Sequence, residues 1–545
     1  MSRRPLSVTT IGDMLVAAAQ RRPDEVAVAF PETRATAREL LDGAVHLARG
    51  LHALGIRRHD KVAIVMPNCM DYIRAIFGAS LLGAVVVTVN ARYRGAELAY
   101  VVADSGVSAL LTSDVLPDVD FVALLHSAMP EISEAEDPLA LSLPGAPALR
   151  ACVMLGSSSP AGLVDQDRFD ELAASVPPEV VWAAAESVRV RDPAIMMYTS
   201  GTTAMPKGCP LSHEAIVRTG DALNDRFSLT AEDAWWDPLP MFHLSSILPL
   251  TASLRAGSRF ITMIDFEVEA AVQQILAERP TYLFGTFPTL NQELLGHEGF
   301  RSADLSFVRI VNQVAPPDMQ RALQAALPGA AQVAAYGCTE IGGMISQNDP
   351  SETPEQRATT CGVPWPGVEV RIVDPETGED LAPGGRGEIV ARGFGQFEGY
   401  HNDPERNAEA IEPGGWFHTG DIGSVDEDGR ITYHGRTKDM LKVGGENVAA
   451  LEVESYLSRH PAVRLAQVVS IPDEKLTEVP AAFVEVEPGH EVTEAELIAF
   501  CRGEMASFKI PRHVRFVSAW PMSATKIQKF KLRENLLAEL ELPPA

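Results

Sequence analysis

Cysteine is scarce and scattered. Six residues (Cys69, Cys152, Cys209, Cys338, Cys361 and Cys501) are spread over 545 positions without a C-x-x-C pair. That spacing excludes a zinc knuckle and a disulfide framework. Long apolar runs are lacking too. The longest, Ala75 to Val89, is shorter than the roughly 18 residues a bilayer span needs, and a buried helix followed by a strand accounts for it. The opening Met1-Ser-Arg-Arg-Pro-Leu-Ser7 has two basic residues but no apolar core behind them, so a secretory signal is not expected and the cytoplasm is. Positive charge is in deficit, with 46 Lys and Arg against 73 Asp and Glu and a formal net charge of −27. A surface that acidic repels polyanions and argues against nucleic acid as a partner. Any nucleotide site must then gather its positive charge on a few Lys, Arg or backbone N–H groups. No internal repeat or low-complexity tract is visible.

What is present reads as a large α/β protein, too long for one core. Helical apolar spacing covers Ile11–Ala19, Arg38–Leu54 and Cys69–Leu82. Short β-rich runs (Val26–Phe30, Lys61–Met66, Ala84–Val89, Ala109–Thr112) lie between them, which predicts a parallel sheet covered by helices. The pattern returns between about Ala194 and Val333. From Gly362 to Arg436, Gly and Pro become frequent and short alternating runs are parted by turn signals, as in a small β-barrel or antiparallel layer. A compact α+β pattern follows. The expected domains are residues 1–436 and 437–545.

The most informative segment is Met197-Tyr-Thr-Ser-Gly-Thr-Thr-Ala-Met-Pro-Lys-Gly208. A strand (Ala194–Tyr198) leads into Thr199, Ser200, Gly201, Thr202 and Thr203, then into Lys207 between Pro and Gly. Hydroxyls, unobstructed N–H groups and one ammonium are what a polyphosphate needs. A Walker loop would require Gly where Pro206 stands, and Gly393-Phe-Gly-Gln-Phe-Glu-Gly399 misses the dinucleotide fingerprint by one residue. A plain polar turn explains the Ser and Thr residues but not the Pro-Lys-Gly ending.

This segment resembles the phosphate loop of the adenylate-forming superfamily: acyl-CoA synthetases, peptide-synthetase adenylation domains and beetle luciferases. The resemblance runs from about Ile11 to Arg533, through several motifs in the family's order. It implies a large N-terminal region and a small mobile C-terminal domain. It implies that Tyr336-Gly-Cys-Thr-Glu340 stacks adenine on Tyr336 beside Gly337, binds the α-phosphate through Thr339 and holds Mg²⁺ on Glu340 with Thr202. Asp421 of Thr419-Gly-Asp421 would take both ribose hydroxyls, joined by Arg436. Lys438 stands at the family's hinge, where the other reading is ordinary surface charge. Lys442-Val-Gly-Gly-Glu-Asn447 resembles the loop that lines the pantetheine tunnel, with Gly444, Gly445 and Glu446 facing coenzyme A. The implied catalytic groups are Lys526, Lys207, Thr202, Glu340 and His243, which resembles the gate to an acyl pocket.

Three departures stand out. The C-terminal motif Pro521-Met-Ser-Ala-Thr-Lys-Ile527 is one residue short and lacks the usual Gly before Lys526. One residue spans up to about 3.5 Å of chain, and a misplacement of roughly 1 Å costs on the order of a hundredfold in rate. Impaired adenylation geometry, relief by Lys529 or Lys531, and a half-step shared with a partner ligase are the open readings. Gln313 replaces a usual Gly and either narrows the pocket, offers its amide to the substrate, or points elsewhere. Ala204 replaces a loop glycine.

For the acyl pocket, His243, Trp236, Phe287, Gln313 and Gly337 are the candidates, with Trp235, Phe242 and Phe284 as further walls or ordinary core. Their number suggests an apolar or cyclic carboxylic acid. The expected function is an acyl-CoA synthetase using ATP, Mg²⁺ and coenzyme A, alone or as a homodimer. The rivals are a freestanding adenylation enzyme loading a carrier protein, a luciferase-like oxidase, and a nucleotide-binding scaffold without turnover.

Overall fold

The computed structural model describes residues 9–116, 119–199, 205–443, 446–473, 475–502, 504–523, 526–540 and 542, with the side chains of Lys438, Asn447, Ser523 and Lys526 outside that description. The predicted alternation of strands and helices is present. Thr36 and Glu39 form a reciprocal capping box that starts helix Ala37–Ala53, whose buried stripe is Leu40, Leu41, Ala44, Leu47, Ala48 and Leu51.

A six-stranded sheet runs in the order Ala151–Leu155, Ala109–Ser113, Lys61–Val65, Val85–Thr88, Pro193–Thr199, Lys207–Ser212, parallel except for the last pair. Helices on both faces explain why its strands are continuous apolar runs rather than alternating ones. Val62 and Ile64 point into one core, Ala63 and Val65 into another. The seven-stranded sheet has the order Ala331–Val333, Ile310–Gln313, Tyr282–Thr286, Ala234–Trp236, Arg259–Ile261, Val26–Ala29, Arg34–Thr36, again parallel but for the last pair.

The Gly- and Pro-rich stretch forms the antiparallel layer rather than a closed barrel. Val368–Val373, Gly387–Gly393, Phe417–Val425 and Ile431–Arg436 pair in chain order, and among the described residues the first and last do not meet. A smaller α+β domain follows. In it Thr477–Val486 pairs with Val463–Asp473, Met440–Val443 and His513–Phe516, and helix Lys529–Glu539 packs on Val463–Asp473. Its two apolar cores take residues from Leu441 onward, whereas the last buried member of the largest core is Ile431. Arg459 of the small domain meets Asp318 of the large one at 2.6 Å. No helix among the described residues is long and apolar enough to cross a membrane.

Candidate active site

The phosphate-loop motif joins two antiparallel strands. Thr199 ends one and Lys207 begins the other, directly opposite each other in register. The turn residues Ser200, Gly201, Thr202, Thr203 and Ala204 lie outside the described residues. Both stems are tied down: the Tyr198 phenol donates to Asp104 Oδ2 at 2.6 Å, and His401 N–H donates to the Gly208 carbonyl at 2.8 Å.

The Tyr336–Glu340 motif lies beside this hairpin. Gly337 is required by a close approach, because a Cβ there would stand 2.3 Å from the Gly343 carbonyl oxygen. Thr339 and Glu340 belong to a short 3₁₀ turn, Thr339–Ile341. One oxygen of the Glu340 carboxylate accepts from the Tyr400 phenol at 2.9 Å. Burial and the Glu340 charge both push the Tyr400 phenol upward, so it remains a donor at neutral pH. The Lys207 ammonium lies 5.1 Å from the centroid of the Tyr400 ring, within cation–π range.

Asp421 and Arg436 face each other across antiparallel strands, and Arg436 Nε lies 3.1 Å from Asp421 Oδ1. The second Asp421 oxygen accepts from the Tyr336 phenol at 2.9 Å. Burial works most strongly on the Arg436 guanidinium and lowers it, but Asp421, with Tyr433, Cys338 and Glu340 behind it, together more than offset that, and the net shift is upward. Burial also raises the Tyr336 phenol well above its ordinary value, with Asp421 adding to it. The carboxylate of Asp421 is therefore held between two permanent donors, almost wholly out of solvent. Tyr336 also stacks on Tyr433, ring centroids 5.9 Å apart and 27° between planes.

The acyl-pocket candidates do not all converge. His243 is the residue before helix Leu244–Ala256, with its ring 4.6 Å from Phe242. The chain leading to it is pinned from the other sheet: the Asn68 amide donates to Leu239 and Met263 carbonyls and accepts from Met241 N–H, and Thr88 donates to the Phe242 carbonyl. Phe287 packs against the same core as Phe242. Trp236 does not join them. It faces the opposite side of its strand from Trp235, in a separate core, with its indole N–H on Gln274. Trp235 stacks on Tyr282 at 3.8 Å and is ordinary core. Gln313 is buried with its amide already used, accepting from Asn291 and donating to the Met319 carbonyl.

In the small domain, Met440–Val443 and Glu446–Ala449 pair antiparallel, and Gly444 and Gly445 between them lie outside the described residues; Glu446 itself is exposed. Ser523 pairs antiparallel with Lys526, and Ala524 and Thr525 between them lie outside the described residues. Lys529 Nζ meets the buried Glu454 carboxylate at 2.5 Å and lines a cavity with Tyr433, Gly435, Arg436 and Met440, between the two domains. Lys531 lies 5.9 Å from its neighbour Phe530's ring. Sequence reasoning missed Tyr400, Tyr433, Asn68 and Glu454, each of which acts through partners far away in the chain.

With this geometry in view, comparison with known proteins is informative. Residues 15–401 match the AMP-binding enzyme family and residues 452–526 its C-terminal domain. A Bacillus subtilis (strain 168) protein named as acyl-CoA synthetase YngI is 34% identical over 541 residues, covering 98% of each chain. The mitochondrial medium-chain acyl-CoA ligase ACSF2 of Rattus norvegicus is 32% identical over 549 residues, 98% of this chain and 88% of that one. Among solved structures, the anthranilate CoA ligase AuaEII in complex with anthranoyl-AMP superposes with a TM-score of 0.86 at 27% identity, over 99% of this chain and all of that one. ATP-bound MatB from Rhodopseudomonas palustris gives 0.81 at 26% identity, over 96% and 98%. The chain belongs to the AMP-binding enzyme family, and it is an acyl-CoA synthetase.

Proposed function

We propose that the two side-chain clusters, Tyr336–Asp421–Arg436 and Glu340–Tyr400–Lys207, are the nucleoside end and the phosphate end of one ATP site. The observation that carries this is their shared anchor. Tyr336, ending the short strand Ala335–Tyr336, and Glu340, in the 3₁₀ turn Thr339–Ile341, sit four residues apart, and the first gives a phenolic hydrogen bond to Asp421 while the second receives one from Tyr400. Asp421 accepts from the ribose hydroxyls, Arg436 holds its carboxylate, Tyr336 and Gly337 border the adenine, and Thr339 meets the α-phosphate. The turn Thr199–Thr203 and Lys207 receive the triphosphate.

Glu340, with Thr202, fits Mg²⁺. Among the described residues no cluster of three or more His, Cys, Asp or Glu could hold a metal, and one oxygen of the Glu340 carboxylate accepts from the Tyr400 phenol. A single carboxylate completed by substrate phosphates is how Mg²⁺ is usually bound in nucleotide sites. Mg²⁺ there would neutralise charge on the phosphate oxygens.

A substrate carboxylate oxygen attacks the α-phosphorus, the bond to the β-phosphate breaks, and pyrophosphate leaves. The acyl-adenylate stays bound. Charge builds on the α-phosphate, so positioned cations supply most of the acceleration: Lys207 from the hairpin and Lys526 from the small domain. The coenzyme A thiolate then attacks the acyl carbon and AMP leaves. We divide the chain at Arg436 into domains 1–436 and 437–545, with Lys438 as the hinge and Gly444, Gly445 and Glu446 lining the pantetheine path. We place the reaction in the cytoplasm, where ATP, Mg²⁺ and coenzyme A are supplied together; cell fractionation tests this.

For the acid we propose a medium-chain fatty acid entering past His243 and Phe287. Apolar neighbours and the name of the ACSF2 relatives support this. Pyrophosphate release is to be measured for a series of straight-chain, aromatic and amino acids, with and without coenzyme A. Release confined to amino acids, or independent of any acid, would refute the assignment.

A further inference from the structure

We infer that Tyr400 is the positioning residue that fixes the metal-facing carboxylate relative to the phosphate lysine. The inference rests on the proposed role of Glu340 as the metal carboxylate. Four contacts come from one short segment. Phe397 N–H donates to the Glu340 carbonyl at 2.9 Å, and the Tyr400 hydroxyl donates to the Glu340 side chain at 2.9 Å. The Tyr400 ring underlies the Lys207 ammonium, and His401 N–H donates to the Gly208 carbonyl. Residues 397–401 thus bind the main chain and the side chain of Glu340 on one side, and the base of the phosphate hairpin on the other.

The splint is itself rigid. Asn407 clasps Tyr400 from both directions, accepting from its N–H at 2.6 Å and donating to its carbonyl at 3.0 Å. Gly399 has φ +135°, and a Cβ there would run into the Asn407 amide at 2.8 Å, so the close clasp requires glycine. Phe397 meets the Tyr400 ring edge-on at 4.8 Å. The phenol therefore occupies one lone-pair direction of Glu340 Oε1. Without the hydroxyl the carboxylate is free to rotate about its last bond, and a metal must order it on binding.

Manganese is the probe. Free Mn²⁺ is to be read by electron paramagnetic resonance as it titrates the full-length enzyme saturated with α,β-methylene ATP, for wild type, Tyr400→Phe, Glu340→Gln and the double variant. Tyr400→Phe is expected to weaken Mn²⁺ binding by about tenfold or more, the worth of one hydrogen bond to a charged group. Metal-free AMP affinity is expected to match wild type. The double variant is expected to equal Glu340→Gln, because Tyr400 acts through that carboxylate. Wild-type Mn²⁺ affinity in Tyr400→Phe, with Glu340→Gln weakened, would overturn the role of Tyr400 alone. An equal loss of AMP affinity in Tyr400→Phe would overturn it too, showing a general structural role. Wild-type Mn²⁺ affinity in Glu340→Gln would overturn the metal assignment and this inference with it.

Discussion

Replacing Tyr336 by Phe separates what the buried Asp421 does for the fold from what it does for the nucleotide. The substitution keeps the ring and removes one hydroxyl, the 2.9 Å donor to Asp421 Oδ2. The Asp421 side chain is only 4% exposed, so water does not readily replace that donor. A buried acceptor left short of a partner costs about 1–3 kcal/mol. For domains of 150–250 residues each kcal/mol moves the melting midpoint by roughly 2–4 °C, so a fall of about 2–12 °C is expected, towards the lower end for a chain this long. Adding AMP reverses part of this. If Asp421 receives the ribose hydroxyls, they supply donors to the carboxylate that the variant has left wanting. AMP should then raise the melting temperature of Tyr336→Phe by more than that of wild type, with affinity by calorimetry equal or tighter. Loss of AMP affinity in proportion to the loss of stability would refute the ribose role of Asp421.

Lys526→Ala is expected to lower acid-dependent pyrophosphate exchange by about 10²–10³-fold, as for removal of one donor to developing charge, while leaving thioester formation from synthetic acyl-adenylate largely intact. Inserting Gly between Thr525 and Lys526 restores the usual spacing; a faster exchange with unchanged thiolation would show that the shortened motif holds back the first half-reaction, and normal wild-type rates in both would sink that idea. His213 is buried with Nδ1 accepting from Ile11 N–H, and burial pulls it from 6.5 to about 4. The unfolded chain therefore binds the extra proton first: stability is complete above about pH 6.5 and falls as pH drops towards 4, by up to about 3 kcal/mol, and urea midpoints of His213→Gln should show a flatter profile. Asp237 is wholly buried, and burial raises its carboxyl well above the usual range, so the native state keeps a proton that the unfolded chain releases. Stability then declines as pH rises from the carboxylate range, and Asp237→Asn should match or exceed wild type at neutral pH and remove that decline.

The strands of both parallel sheets were legible because their runs are apolar on both faces, as in Lys61–Val65, and the capping residues Thr36 and Glu39 announce their helix. Asp421 and Glu340 were legible through short motifs whose chemistry is carried by adjacent residues. Tyr400 was not, because nothing local marks a tyrosine whose partner Glu340 lies 60 residues earlier. Trp235 and Trp236 are the same residue type side by side, yet strand parity sends one to each core, and only the register decides which. Gln313 reads as a pocket residue by its place in the motif, but Asn291 and Met319 already occupy its amide. Lys529 competes with Lys526 on charge alone, whereas the fold gives it Glu454 as a partner at 2.5 Å.

Isotope transfer tests the central chemistry most directly. Supplied with a fatty acid labelled with ¹⁸O in its carboxyl group, the enzyme should deliver one labelled oxygen to AMP, since the attacking oxygen remains on the α-phosphorus when thioester forms. Label in inorganic phosphate or pyrophosphate, or unlabelled AMP beside finished thioester, would contradict an acyl-adenylate route.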